Sequence, residues 1–228
     1  GDPRTGESPY AHWPSLDAAA QSFGGLVHAN DGLVTPAIAD IFPGTLMALG
    51  VVSAIHSAQR SGKGQFLDVG MYDAMMAFQK SAVAQYGFTG KPNPAGLQRA
   101  MTLYPFDLFP TQDGRIAIAV GQPRHWDLLC AAMDRADLMD DERSFSNEAR
   151  LANVDWVEEQ ICAWTQTQTR AEIMAKLDGA IPIGPVQTMA DIFADPHVSA
   201  RDMLETCSPA GDNPDIALAA SPIKFSQT

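Results

Sequence analysis

Cysteine is scarce in this chain: three in 228 residues, at Cys130, Cys162 and Cys207, with no Cys-x-x-Cys pair. That pattern argues against a disulfide framework or a thiolate zinc site and suits reduced thiols packed as small core residues. The five histidines (His12, His28, His56, His125 and His197) are equally scattered, so no metal is expected. Positive charge is the next shortage. Lys and Arg number 15 against 27 Asp and Glu, and the net charge of −12 disfavours nucleic acid and anionic membrane as partners. The imbalance is local, because residues 1–100 hold 6 basic against 7 acidic side chains whereas residues 101–228 hold 9 against 20. A domain boundary near residue 100 is expected from that break. No repeat, low-complexity tract, signal segment or membrane-length apolar run is read, so the chain is expected to be soluble and cytoplasmic.

What is present centres on residues 38–70, which read as one helix, one glycine-marked turn and one strand over Gln65–Val69. Asp40 stands where the helix should begin, with Pro43 still in its first turn. Thr45 to Ala58 is almost wholly apolar or small, so this helix is expected to be buried on most sides. Arg60, Gly62, Lys63 and Gly64 form a basic, glycine-rich end suited to the helix dipole. Two accounts of Asp40 stand side by side. As an N-cap, its carboxylate would accept first-turn N–H groups. As a fixed, poorly hydrated carboxylate between Ile38, Ala39, Ile41 and Phe42, it would serve as a nucleophile towards an activated acyl group.

The rest of the chain supplies context. Ser15 is expected to cap a helix through Asp17 and Gln21 to the Gly24-Gly25 break, followed by a turn over Leu26 to Ala29. Met71 to Gly87 reads as a second apolar helix, and residues 89–96 as a linker. A hairpin follows: Tyr104 to Pro110, a turn at Gln112-Asp113-Gly114, and the alternating strand Arg115 to Val120. Helices are expected over Pro123–Met133 and Asn147–Gln166, with capping boxes at Thr169/Glu172 and Thr188/Asp191. Ile181 to Gln187 is the strand between those boxes, and short β-like runs follow Met203. Several side chains have plain explanations: His125 and Trp126 as packing, Arg60 and Lys63 as a solvated helix end, Asp140-Asp141-Glu142 as a solvated loop. Ser61-Gly62-Lys63-Gly64 lacks the frame of a phosphate-cradling loop.

An ordered set of short matches adds a resemblance. Pro14-Ser15-Leu16-Asp17, Gln21, Gly24-Gly25-Leu26, Asp40, Gln59-Arg60-Ser61-Gly62-Lys63-Gly64-Gln65 and Leu67-Asp68-Val69 are joined by Met71-Tyr72-Asp73-Ala74. Downstream come Thr111-Gln112-Asp113-Gly114, Trp126, Arg150 with Asn153, Ile181 to Val186, Asp195-Pro196-His197 and Arg201. Together they resemble the family III CoA-transferases of CaiB/BaiF type, a group with formyl-CoA transferase, carnitine CoA-transferase and alpha-methylacyl-CoA racemase among its members. The resemblance implies an α/β fold: a partial Rossmann-like large domain plus a smaller α+β domain, in a family of interlocked dimers. It assigns residues 1–72 to the large domain, 73–100 to a helix and linker, 101–198 to the small domain, and 199–228 to a segment returning to the large domain. Because family members are much longer, the chain is expected to be an internal fragment.

The same resemblance implies a transferase that moves CoA from an acyl-CoA thioester to a small carboxylic acid, with Asp40 as the acyl-accepting nucleophile. CoA enters as substrate, no cofactor is implied, and a homodimer is expected. The CoA-anchoring residues are expected in the half that precedes this chain. Two rivals stay open. A racemase would need opposed acid/base groups, but the position of its histidine is Leu16 and that of its supporting acid is near Gln122, leaving His12 or His28 as substitutes. The other rival is a non-catalytic dimerisation fragment. The glycine-run loop of formyl-CoA transferases has no counterpart between Gly96 and Tyr104.

Overall fold

The computed structural model describes residues 8–96, 102–209 and 214–227. Contacts divide the chain into two compact units, residues 1–99 and 100–228.

In the first unit the described residues form five helices: α1 (Asp17–Phe23), α2 (Leu26–Asn30), α3 (Ile38–Ser61), α4 (Met71–Phe78) and α5 (Lys80–Thr89). Gly24 and Gly25 separate α1 from α2, and Gly25 takes a left-handed φ of 78° that suits glycine. Gly24 matters through space instead, because a Cβ there would overlap the Cβ of Met75 on α4. Helix α3 closes on Gly62, left-handed at φ 68°, as the Ser-Gly-Lys-Gly ending implied. Pro43 is its sixth residue, beyond the free first turn, so the ring removes one helical hydrogen bond.

Four expectations for this unit are corrected. Helix α3 buries only Ala39 and Pro43, while Leu49 and Val52 are each 66% exposed, so it is not enclosed by the described residues. By length and composition it is also long and apolar enough to cross a membrane, which corrects the reading that no such run exists. An interior helix of a larger protein meets the same two criteria. Gln65–Val69 forms no strand ladder among the described residues, although Leu67 lies against Gly50 of α3. The single helix expected over Met71–Gly87 is broken at Gln79, whose side-chain amide donates to the Gly24 carbonyl.

The second unit is α+β. Strands β1 (Phe106–Thr111) and β2 (Gly114–Ala119) form an antiparallel hairpin in which Phe106 faces Ala119 and Thr111 faces Gly114. Helices α6 (Pro123–Ala132), α7 (Asn147–Ala152), α8 (Val154–Thr165) and α9 (Arg170–Leu177) follow, with a 3₁₀ turn at Ala136–Met139. Strand β3 (Ile183–Pro185) adds antiparallel to β2, giving the order β1-β2-β3. Alternation on β2 turns Ile116 and Ile118 inward beneath Trp126 and Leu129 of α6, Val157 and Ile161 of α8, and Ile173 and Leu177 of α9. Each such buried side chain stabilises by about 1.5–3 kcal/mol.

Both expected capping boxes form, at Thr169/Glu172 on α9 and at Thr188/Asp191 on α10 (Met189–Ala194). The long helix expected over Asn147–Gln166 is split at Asn153, whose side chain donates to the Ala149 carbonyl. Helix α11 (Pro196–Ala200) follows, and β4 (Leu204–Cys207) then pairs with β5 (Ile216–Ala219). Among the described residues of 199–228, Leu204 faces Ala219 and Cys207 faces Ile216.

Candidate functional site

The start of α3 is held from outside. Asp17, the first residue of α1, accepts the backbone N–H of Ala39 on Oδ1 at 2.8 Å, and on Oδ2 it accepts the side-chain amide of Gln21 at 2.7 Å. Gln21 is fully buried. Its Nε2 also donates to the Val34 carbonyl at 2.9 Å, and its Oε1 accepts the Val34 N–H at 2.9 Å. Gln21 thus grips the chain ahead of α3 by both backbone groups of one residue, and it orients the carboxylate that caps the helix. Helical spacing brings Asp17 and Gln21 onto one face of α1, and Ala20, beside Gln21, packs with Ala39 and Met75 in the small core of this unit.

Asp40 follows Ala39 directly. It is the third residue of α3, and the N-cap is Ala37, which corrects the reading of Asp40 as the cap. Its side chain is exposed and makes no hydrogen bond or ion pair among the described residues, which also corrects the expectation that its neighbours desolvate it here. The first turn of a 24-residue helix favours negative charge at this position. A carboxylate fixed at its backbone, stabilised by the dipole and free at both oxygens can attack an electrophilic carbonyl.

The other candidates are exposed or taken up in packing within their own unit. Leu16 is the N-cap residue of α1, 79% exposed and unable to ionise. His28 is exposed, with its Nε2 3.1 Å from the Asn93 carbonyl, and His12 lies in an exposed turn. Arg60 and Lys63 are exposed at the end of α3. In the second unit Gln122 is the N-cap residue of α6 and makes no capping hydrogen bond. Trp126 is buried, donating from Nε1 to the Leu138 carbonyl, and His125 Nδ1 faces the Gly121 N–H at 3.3 Å. The Asp140–Glu142 loop holds a local pair: Arg143 binds both carboxylate oxygens of Asp141 at 2.9 and 2.8 Å, and the Asp141 carboxyl is pulled down to about 2. Burial pushes the Cys130 thiol up to about 12, which suits an inert core residue and no nucleophile. No group of three metal-ligating side chains occurs among the described residues.

Sequence reasoning missed the role of Asp17, which it placed only as a residue within its own helix. The Asp17/Gln21 spacing was the only signal available, since the partner is 22 residues away.

Comparison with known proteins adds four findings. A family model described as CoA-transferase family III matches residues 3–228. The chain is 38% identical to a succinyl-CoA:mesaconate CoA-transferase of Haloarcula hispanica over 100% of its own length and 59% of that protein. It is 31% identical to a succinate–glutarate CoA-transferase of Agrobacterium fabrum over 96% of its length and 56% of that protein. Its structure matches that of a CaiB/BaiF family protein from Brucella suis with a TM-score of 0.77 at 29% identity, across 97% of this chain and 59% of that one. The chain therefore spans less than two thirds of the relatives it matches.

Proposed function

The chain belongs to CoA-transferase family III, and from that premise we propose that Asp40 is the nucleophile of a CoA transfer between an acyl-CoA and a carboxylic acid. The observation that carries the reading is the carboxylate of Asp40, without a partner among the described residues, on the first turn of α3 next to the backbone that Asp17 holds. In the first step a carboxylate oxygen of Asp40 attacks the thioester carbonyl, the C–S bond breaks, and CoA leaves as thiolate. The product is a mixed anhydride. The thiolate then attacks the aspartyl carbonyl, releasing the donor acid as its carboxylate and leaving an aspartyl-CoA thioester. The acceptor carboxylate attacks that carbonyl and displaces CoA thiolate again, forming a second mixed anhydride. Attack of the thiolate on the acceptor's own carbonyl yields the new acyl-CoA and returns Asp40 as a carboxylate. Each covalent step replaces one difficult exchange by easier ones.

The names of the relatives make succinyl-CoA with mesaconate or glutarate the first pairs to assay. Leu16 and Gln122 cannot ionise, which favours transfer over racemisation, where two opposed acid/base groups are needed. A homodimer belongs to the same proposal, supported by the exposed apolar residues of α3, among them Leu49, Val52 and Ile55. The test is trapping: the protein is incubated with succinyl-CoA, quenched with hydroxylamine, and digested for peptide mass analysis. A hydroxamate on Asp40 is expected. The same modification on another residue, with Asp40 untouched, overturns the assignment.

A further inference from the structure

Arg150 is the one arginine in the described core, 3% exposed, and no carboxylate pairs with it there. Its Nε donates to the Tyr104 carbonyl at 2.7 Å and its Nη1 to the Ser144 carbonyl at 2.8 Å, while the guanidinium lies over Trp126, 4.8 Å from the ring centroid. Nη2 makes no hydrogen bond among the described residues. Asp127 and Glu148 feel its charge, yet neither forms an ion pair with it. Glu148 is already engaged with its own backbone and the Ser146 hydroxyl, which hold its carboxyl below the usual range. Burying a cation without a counter-charge is costly, and dipoles and carbonyls offset only part of that cost.

The side chain lines a hollow of about 270 Å³, walled also by Leu103, Val120, Phe145, the Gly121-Gln122-Pro123 corner where α6 begins, and the head of α7 from Ser146 to Glu148, whose carboxylate is the one acid in the wall. Helix α6 has ten residues, and the side chain of its N-cap residue Gln122 makes no capping hydrogen bond. The hollow therefore joins three things: a buried guanidinium with donors to spare, the positive end of a helix, and an apolar wall. A carboxylate on a short hydrocarbon chain matches all three. The volume lies below the roughly 300–1,000 Å³ of sites for drug-sized ligands, so a whole CoA thioester does not fit.

We propose that this hollow binds the carboxylate of a small organic acid, with Arg150 as its cation and the positive end of the α6 dipole beside it. Taking the acid to be of the acceptor's class rests on the transferase reading above, but binding is measured without CoA, so the two can fail separately. The experiment is calorimetric titration of the whole chain with succinate in chloride buffer at neutral pH, with neutral succinamide as control. Succinate is expected to bind one to one and succinamide not at all. Gln122→Glu puts a like charge at the mouth of the hollow while leaving the core untouched, and should weaken succinate about tenfold or more at unchanged melting temperature. Arg150→Lys should weaken it as well, and melting with and without succinate separates lost binding from lost fold. No heat with succinate, equal heat with succinamide, or unchanged affinity in Gln122→Glu overturns the proposal.

Discussion

The carboxylate of Asp17 accepts the backbone N–H of Ala39 at 2.8 Å across 22 residues of sequence. One helix thereby caps another, and the residue that follows the capped N–H is Asp40.

Removing that carboxylate should be felt twice. Asp17→Ala deletes the cap, worth about 1 kcal/mol. It also leaves the buried Gln21 amide one acceptor short, at about 1–3 kcal/mol. We expect about 2 kcal/mol of destabilisation, read from urea unfolding by the fluorescence of Trp13, the single tryptophan among residues 1–99. Asp17→Asn, which keeps one acceptor oxygen, should recover part of the loss. Equal stability of the alanine variant and the parent would dismiss the capping role.

Asp40→Ala should behave in the opposite way. The side chain is exposed and makes no hydrogen bond among the described residues, so only its favourable dipole interaction is lost, about 0.5 kcal/mol. Transfer from succinyl-CoA should vanish in the enzyme that carries the change, with CoA affinity retained. A variant that still transfers CoA at the parent rate removes Asp40 from the chemistry.

Acid titration isolates a third site. The carboxyl of Asp141 is drawn down to about 2, first by the Arg143 side chain and then by its backbone N–H. A carboxyl held below its unfolded value of about 3.9 adds stability that is present above that pH. The contribution is lost as pH falls through about 2. Carboxyl NMR should therefore show Asp141 titrating near 2 in the parent, and higher in Arg143→Ala, though still below its ordinary value because the backbone N–H at 143 remains. An unshifted Asp141 in the parent would contradict the bidentate geometry.

Proteolysis should separate the two units. Among the described residues, the buried cluster of the first unit holds four hydrophobic residues, against fifteen in the second. Limited digestion should leave a resistant core from about Tyr104 to His197. Survival of a piece centred on residues 15–87 would reverse that order.

Local chemistry was legible in the sequence and distant partnership was not. The capping boxes at Thr169 and Thr188 and the turn at Gln112-Asp113 form as read, because each is settled within four residues. The breaks at Gln79 and Asn153 were missed because periodicity runs through both. At Gln79 the side chain turns to the Gly24 carbonyl, 55 residues away. Asp40 was legible as the first-turn acid of α3, and its family through the ordered matches around it. Its cap was not, since that depends on Asp17. The buried Arg150 was quoted only as part of a resemblance, because nothing in the sequence reveals that no carboxylate meets it.

Gly24 carries a last consequence. It has an ordinary φ of −75°, so any residue could adopt its backbone, yet a single methyl group there would collide with Met75. Relief would have to come from sliding α1 away from α4, and Asp17 rides on α1. The aim of Asp40 therefore hangs on a missing atom at the far end of a seven-residue lever. An alanine at position 24 would act as a wedge, disturbing the head of α3 without touching it.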